Sequence, residues 1–176
     1  MNDKMIRLTR EGFVSPVSQD RDLAVRLLNR STRDWAAAQS LRKDPEALLH
    51  CVGVMGFRLG WGLMALRGYR PTGRDPERAV HEAVSGWLVT ETAFLTGDYA
   101  PLLQSWRTNL YEPDMPNEYL SALSPSAVSK KILSVGRRYR EAIRRFIGEN
   151  HPEFTPVLNG RTRGSTDLSA ERTFRG

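Results

Sequence analysis

Apolar residues recur at intervals of three and four along most of the chain, the pattern of amphipathic helices. The pattern predicts helices over residues 20–43, 44–66, 75–96, 99–111 and 124–147. Because short loops join most of them, we expect an all-α fold, an antiparallel bundle of about five helices spanning residues 20–150. No segment predicts a strand pair. Residues 1–19 are predicted to be an irregular lead-in and residues 151–176 a flexible basic tail.

Three helix starts are marked by residues that can cap exposed amides. Asp44-Pro45-Glu46 and Asp75-Pro76-Glu77 each place a capping Asp before a Pro and an acidic first turn. Ser124-Pro125 predicts a similar start. Gly97 and Gly148 are predicted as helix ends, because glycine readily adopts the left-handed conformation found there.

The second predicted helix carries three glycines on its surface, Gly53, Gly56 and Gly60. Each glycine within a helix costs about 0.5–1 kcal/mol relative to alanine, so their presence needs a reason. We expect a neighbouring helix to approach closely there. The helix is therefore predicted to be central, either within the fold or at a dimer interface.

The net charge of +6 suggests an anionic partner, nucleic acid first and an acidic protein second. The last predicted helix contains two rows of cations at seven-residue spacing. One row is Lys130, Arg137 and Arg144, and the other is Lys131, Arg138 and Arg145. A phosphate backbone would be attracted to this face, whereas the alternative is a solvated face whose cations pair with acids elsewhere.

Residue types needed for several other chemistries are missing or scattered. Cys51 is the only cysteine, and the histidines at 50, 81 and 151 have no metal-binding spacing, so no metal or cofactor is predicted. The apolar stretch 47–66 is interrupted by His50 and Arg58, which argues against a membrane span. With no apolar leader at the N-terminus, a cytoplasmic location is expected.

A second cluster of polar residues ends the fourth predicted helix, in the sequence WRTNLYEPD over residues 106–114. Arg107 and Tyr111 are four apart and would share one face. Arginine can hold a phosphate through two hydrogen bonds and a phenol can donate a third. Alternatively, this cluster packs the helix end, with Arg107 paired to Glu112 or Asp114.

The order of elements resembles the HEPN superfamily of small helical bundles. The resemblance covers residues 20–150 and lies in the long first helices, in GYRPTGR-x3-RAVHEA at 68–83, and in WRTNLYEPD. It is strongest to the small bacterial stand-alone branch. The resemblance implies that Arg107 would grip a phosphate, Asn109 would orient the site and Tyr111 would stand at its rim.

Active HEPN proteins are metal-independent ribonucleases with a cleft between two protomers, and other members bind nucleotides or partner proteins without catalysis. The positions that would carry the active-site histidine hold Glu112, Pro113 and Asp114.

Arg74 and His81 form a literal R-x6-H pattern, but it spans a loop and a helix start, and His81 is expected at the surface or the edge of the core. Imidazole is the usual acid or base near neutral pH, whereas tyrosine titrates near 10.

Three hypotheses about function follow. The first is a HEPN-like protein that binds RNA or a nucleotide, non-catalytic or weakly catalytic, in a toxin–antitoxin or phage-defence setting. The second is a metal-independent endoribonuclease that uses Arg107 with Tyr111 or His81 at a dimer cleft. The third is a subunit that binds an acidic partner protein. A homodimer or a partner protein is expected in each case.

Overall fold

The computed structural model describes residues 3–112, 121 and 123–159, and most of these residues are helical. The α-helices are α1 (Asp3–Arg10), α2 (Arg21–Ser40), α3 (Pro45–Leu66), α4 (Pro76–Trp87), α5 (Thr92–Phe94), α6 (Ala100–Tyr111), α7 (Pro125–Asn150) and α8 (Thr155–Leu158). Two 3-10 turns (Val89–Glu91 and Pro152–Phe154) and a π-helical segment (Leu95–Tyr99) join them. The prediction of a mainly helical fold is confirmed.

Helix starts follow the capping residues closely. The carboxylates of Asp20, Asp44 and Asp75 each accept a hydrogen bond from the backbone amide three residues later. The starts at 44–46 and 75–77 are therefore confirmed. At Ser124 the predicted cap is wrong, because the hydroxyl makes no capping bond, although α7 begins at the following proline.

Helix α3 is the central element of the core, since α2, α4, α6 and α7 all pack against it. It runs antiparallel to α2: the Asp20 amide donates to the Ala65 carbonyl at one end, and Arg58 bonds Asp34 further along. Helix α7, in contrast, runs parallel to α3. Gly136 lies against Val52, and further along both helices the guanidinium of Arg67 lies over the ring of Phe146. The antiparallel prediction is therefore wrong for this pair.

The connection between α3 and α4 explains the difference. Antiparallel neighbours are expected where a short loop joins two helices. The chain instead runs back along α3 over residues 67–75, which include β2, so that α4 has the same direction as α3: Asp75, just before α4, bonds Arg107 of α6, and Trp87, its last residue, lies under Arg67. Helices α6 and α7 then alternate in direction, and α7 therefore also runs parallel to α3.

The three glycines of α3 are covered by side chains from the same chain, two of them aromatic. A Cβ atom at Gly53 would lie 2.2 Å from the indole of Trp106, and one at Gly56 would lie 2.2 Å from the Tyr99 hydroxyl. A Cβ at Gly60 would lie 2.5 Å from Val80. The close approach predicted for these glycines is confirmed, and it occurs within the fold.

Helix α3 is also the one helix of the described part that is long and apolar enough to cross a membrane. However, 61% of its apolar window is buried inside the fold. Its contacts are those of a core helix.

The prediction of an irregular lead-in over residues 1–19 is wrong. Helix α1 buries Met5 and Leu8 against the core and is tied to α4 by an ion pair from Arg7 to Glu82. Strand β1 (Val14–Pro16) pairs antiparallel with β2 (Tyr69–Pro71). These elements are too short to show a periodic pattern, and a helix of two turns depends on its tertiary contacts.

The third predicted helix does not continue to residue 96. Helix α4 ends at Trp87, and the chain turns at Leu88, whose side chain is buried. The turn lets Leu95 and Tyr99 enter the core from the π-helical segment, which contains Gly97. Gly97 is therefore not the helix end, which lies at Trp87, one residue after Gly86.

The C-terminal predictions are partly wrong. Helix α7 passes the predicted end at Gly148 and stops at Asn150. Residues 151–159, predicted as the start of a flexible tail, fold back and bury Phe154 and Leu158. The rest of that tail and most of the loop over 112–123 lie outside the described residues.

The tight approach to α3 leads to a mutational prediction. Gly53→Ala should lower the free energy of unfolding by about 1–3 kcal/mol, because its methyl group would overlap the buried indole of Trp106. Urea denaturation monitored by circular dichroism measures the change. Gly97→Ala is the matched control, because a Cβ there would have nothing within 4 Å; it should leave stability unchanged or raise it by up to about 1 kcal/mol. Equal effects of the two substitutions would contradict this account of the packing.

Candidate functional site

The end of α6 and the start of α4 enclose an open cavity of about 280 Å³. Arg107 and Tyr111 both line it, so the prediction that they share a face is confirmed. The other lining residues are Arg74, Asp75, Glu77, Gln104, Thr108 and Glu112.

Arg107 is held by a structural carboxylate. Its Nη2 donates to Oδ2 of Asp75 at 2.7 Å, while Oδ1 of the same carboxylate caps α4 by accepting from the Arg78 amide at 3.1 Å. Both side chains are about three-quarters buried, with 26% and 23% exposed. Arg107 therefore fastens the last turn of α6 to the first turn of α4. Arg107 thus packs the helix end as the alternative expected, but its partner is Asp75 and not Glu112, and Asp114 lies outside the described residues.

Tyr111 is also engaged by an acid on α4. Its hydroxyl donates to Oε1 of Glu77 at 3.1 Å, and this bond raises the pKa of the phenol above its ordinary value. A phenol so bound is a weaker acid than free tyrosine, so even less of it is present near neutral pH as the phenolate that could accept a proton. The cavity holds two cations (Arg74 and Arg107) and three carboxylates (Asp75, Glu77 and Glu112), a net charge of −1 that disfavours a phosphate.

Asn109 does not join Arg107 and Tyr111. It lines a separate cavity of about 390 Å³ with Asp44, Glu46, Ala47, His50, Cys51, Trp106 and Leu110. On this side the indole Nε1 of Trp106 lies 3.5 Å from Nδ1 of His50. The role implied for Asn109 at a shared phosphate site has no support in this geometry.

His81 lines neither of these two cavities. It sits on α4 with its ring 5.5 Å from that of Tyr99. Burial, and to a smaller extent the charge of Lys4, lower its pKa to about 4 against the opposing effect of Glu82. The imidazole is therefore neutral near pH 7 and a weak base, placed away from Arg107.

The two basic rows of α7 have different surroundings. In the row that we call the inner row (Lys131, Arg138 and Arg145), Lys131 bonds Asp98 at 2.5 Å. Arg138 and Arg145 both contact Glu91 at 3.4 Å. Three cations thus face two carboxylates, which leaves a local charge of +1.

The other row, which we call the outer row (Lys130, Arg137 and Arg144), keeps its charge. Lys130 and Arg137 are exposed, and Arg144 donates to the neutral amide of Asn159. Among the described residues, no carboxylate forms an ion pair with any of the three. The prediction of a basic face thus divides into a row whose cations are paired with acids and a row with no ion pair, in which exposed Glu141, one turn from Arg137 and from Arg144, is the nearby acid on α7.

Sequence reasoning missed the acids that distinguish the rows. Glu91 and Asp98 are seven residues apart, the same interval that separates the cations of the inner row. This matched spacing was a usable signal. It was hidden because the third helix was expected to continue through residue 91 up to residue 96.

The buried imidazole predicts a pH-dependent stability. The pKa of His81 is about 4 in the fold against 6.5 when solvated, so the unfolded chain binds more protons between these values. Stability should therefore rise with pH across this window, by at most about 3 kcal/mol from this group. Urea denaturation at pH 4.5 and pH 7 should show a smaller difference for His81→Gln than for the parent. His50→Gln, which changes an exposed histidine, should keep the parent's pH dependence; an unchanged dependence in His81→Gln would refute the assignment.

Comparison of the chain with known proteins gave no match among protein families, curated proteins or solved structures.

Proposed function

We propose that the chain is a HEPN-like protein that binds RNA along the outer row of α7 without cleaving it. The resemblance in sequence supports the family. The charge of Lys130, Arg137 and Arg144, which no ion pair among the described residues neutralises, is the observation that carries the binding function.

The spacing of the outer row favours a polymer over a mononucleotide. Seven residues of helix rise about 10.5 Å, so the three cations extend over about 21 Å. One phosphate group cannot contact cations that far apart. A chain of phosphates can, and each contact would release roughly one counterion.

The outer side of α7 is less suited to an acidic protein. Protein interfaces usually have an apolar centre surrounded by a polar rim. The exposed large apolar residues of the described part are Ile6, Val17, Val89, Leu110, Tyr111 and Leu123, and none belongs to α7. A surface of cations with no apolar centre favours a polyanion.

The second hypothesis, an endoribonuclease, is less favoured by the candidate site. Arg107 is bonded to Asp75, Tyr111 to Glu77, and the cavity has a net negative charge. His81 is buried elsewhere with a pKa of about 4. The structure describes all three histidines of the chain, and none of them lines the cavity beside Arg107.

The homodimer and the toxin–antitoxin or phage-defence setting remain part of this proposal through the resemblance. The glycines of α3 no longer favour a dimer, because Trp106 and Tyr99 of the same chain cover two of them. Tyr111, 63% exposed, is the aromatic residue that still favours one.

Two matched triple variants test the binding surface. Lys130→Gln/Arg137→Gln/Arg144→Gln changes the outer row, and Lys131→Gln/Arg138→Gln/Arg145→Gln changes the inner row. Both remove three charges from the same helix at the same spacing. The outer variant should bind single-stranded RNA about tenfold or more weakly near 100 mM salt, and its salt slope should flatten by about 2.

The inner variant should show a smaller loss, because its three cations carry a local charge of only +1. Fluorescence anisotropy with labelled RNA at several salt concentrations measures both. Equal losses in the two variants would show that binding follows net charge alone. A parent that fails to bind RNA even at low salt would refute the function.

A further inference from the structure

A third set of cations lies on the solvent side of α2. Arg26, Arg30 and Arg33 are all exposed and succeed one another at about one helical turn. Their spacings of four and three residues correspond to about 6 and 4.5 Å along the helix axis. Ala37, which is also exposed, continues the same line, and its small side chain does not cover the arginines.

Acids do not neutralise this side of α2. Asp34 is the one acid between residues 26 and 43, and Arg58 already holds it through hydrogen bonds of 2.8 Å to both carboxylate oxygens. Asp22, one turn before Arg26, forms no ion pair with it. Among the described residues, Arg26, Arg30 and Arg33 have no ion-pair partner.

The segment 151–159 packs against α2 and against the end of α7. Asn159 accepts a hydrogen bond from Arg144 of the outer row. Glu153 contacts Arg21 at 3.6 Å, and the guanidinium of Arg21 lies over the ring of Phe154. The outer row and the first turn of α2 therefore both adjoin one short, packed segment.

We propose that Arg26, Arg30 and Arg33 form a second contact surface for the same RNA, which extends from α7 across residues 151–159 onto α2. This inference rests on the proposed function and adds that the bound RNA is longer than the outer row alone can hold. Six nucleotides rise about 20 Å at ~3.4 Å per nucleotide, which matches the outer row. Reaching α2 takes a longer strand.

The test compares single-stranded RNAs of 6 and 24 nucleotides bound by the full chain and by Arg26→Gln/Arg30→Gln/Arg33→Gln. The longer RNA should bind the variant about tenfold more weakly near 100 mM salt, with a salt slope flatter by about 2. The 6-nucleotide RNA should lose less than about threefold. Thermal unfolding should be unchanged, because these side chains are exposed and unpaired among the described residues. The inner-row variant of α7 is the control that removes the same number of charges.

Other outcomes separate the two proposals. If the α2 variant binds the longer RNA as the parent does while the outer-row variant loses it, the second surface is refuted and the proposed function stands. Equal losses for both RNA lengths would refute the extended path. If polyglutamate of matched charge displaces the 24-nucleotide RNA as well as unlabelled RNA does, the surface takes acidic polypeptides and the assignment to RNA is wrong. If the parent binds neither RNA, both proposals fail.

Discussion

The close approach of aromatic side chains to the glycines of α3 is the constraint on which the rest of the structure depends. Trp106 and Tyr99 occupy the space that side chains at Gly53 and Gly56 would fill, so α6 and the π-helical segment lie directly against the central helix. Tyr99 also stacks on Tyr139 of α7 with ring centroids 3.6 Å apart. One packed centre thus fixes α6 and α7, which carry the candidate cavity and the basic rows.

This arrangement assigns different roles to the cations. Where a helix packs against another segment of the chain, its cations form ion pairs with carboxylates of that segment: Arg107 pairs with Asp75, and Arg138 pairs with Glu91. Partly buried or crowded pairs of this kind fix the position of a helix more than they bind ligands. Among the described residues, no carboxylate of a packed neighbour pairs with the cations on the outer side of α7 or on the solvent side of α2, and the excess positive charge remains there.

The sequence predicted the long helices well, because their periodicity and their capping aspartates are local signals. Asp44 and Asp75 cap as expected, and the glycines of α3 are covered as expected. Local signals could not reveal the strand pair, which joins residues 14–16 to residues 69–71, or the break at Leu88. For the same reason, the arginine of the candidate site was recognised, but its partner 32 residues away was not.

The most direct test of the account is an RNA cleavage assay in EDTA with the parent and Arg107→Ala, run beside urea denaturation of both. The account predicts that the parent leaves RNA intact while binding it. It also predicts that Arg107→Ala lowers the free energy of unfolding by about 1–3 kcal/mol, because Asp75 loses its partly buried partner. EDTA-resistant cleavage by the parent that disappears in an Arg107→Ala protein of unchanged stability would contradict it.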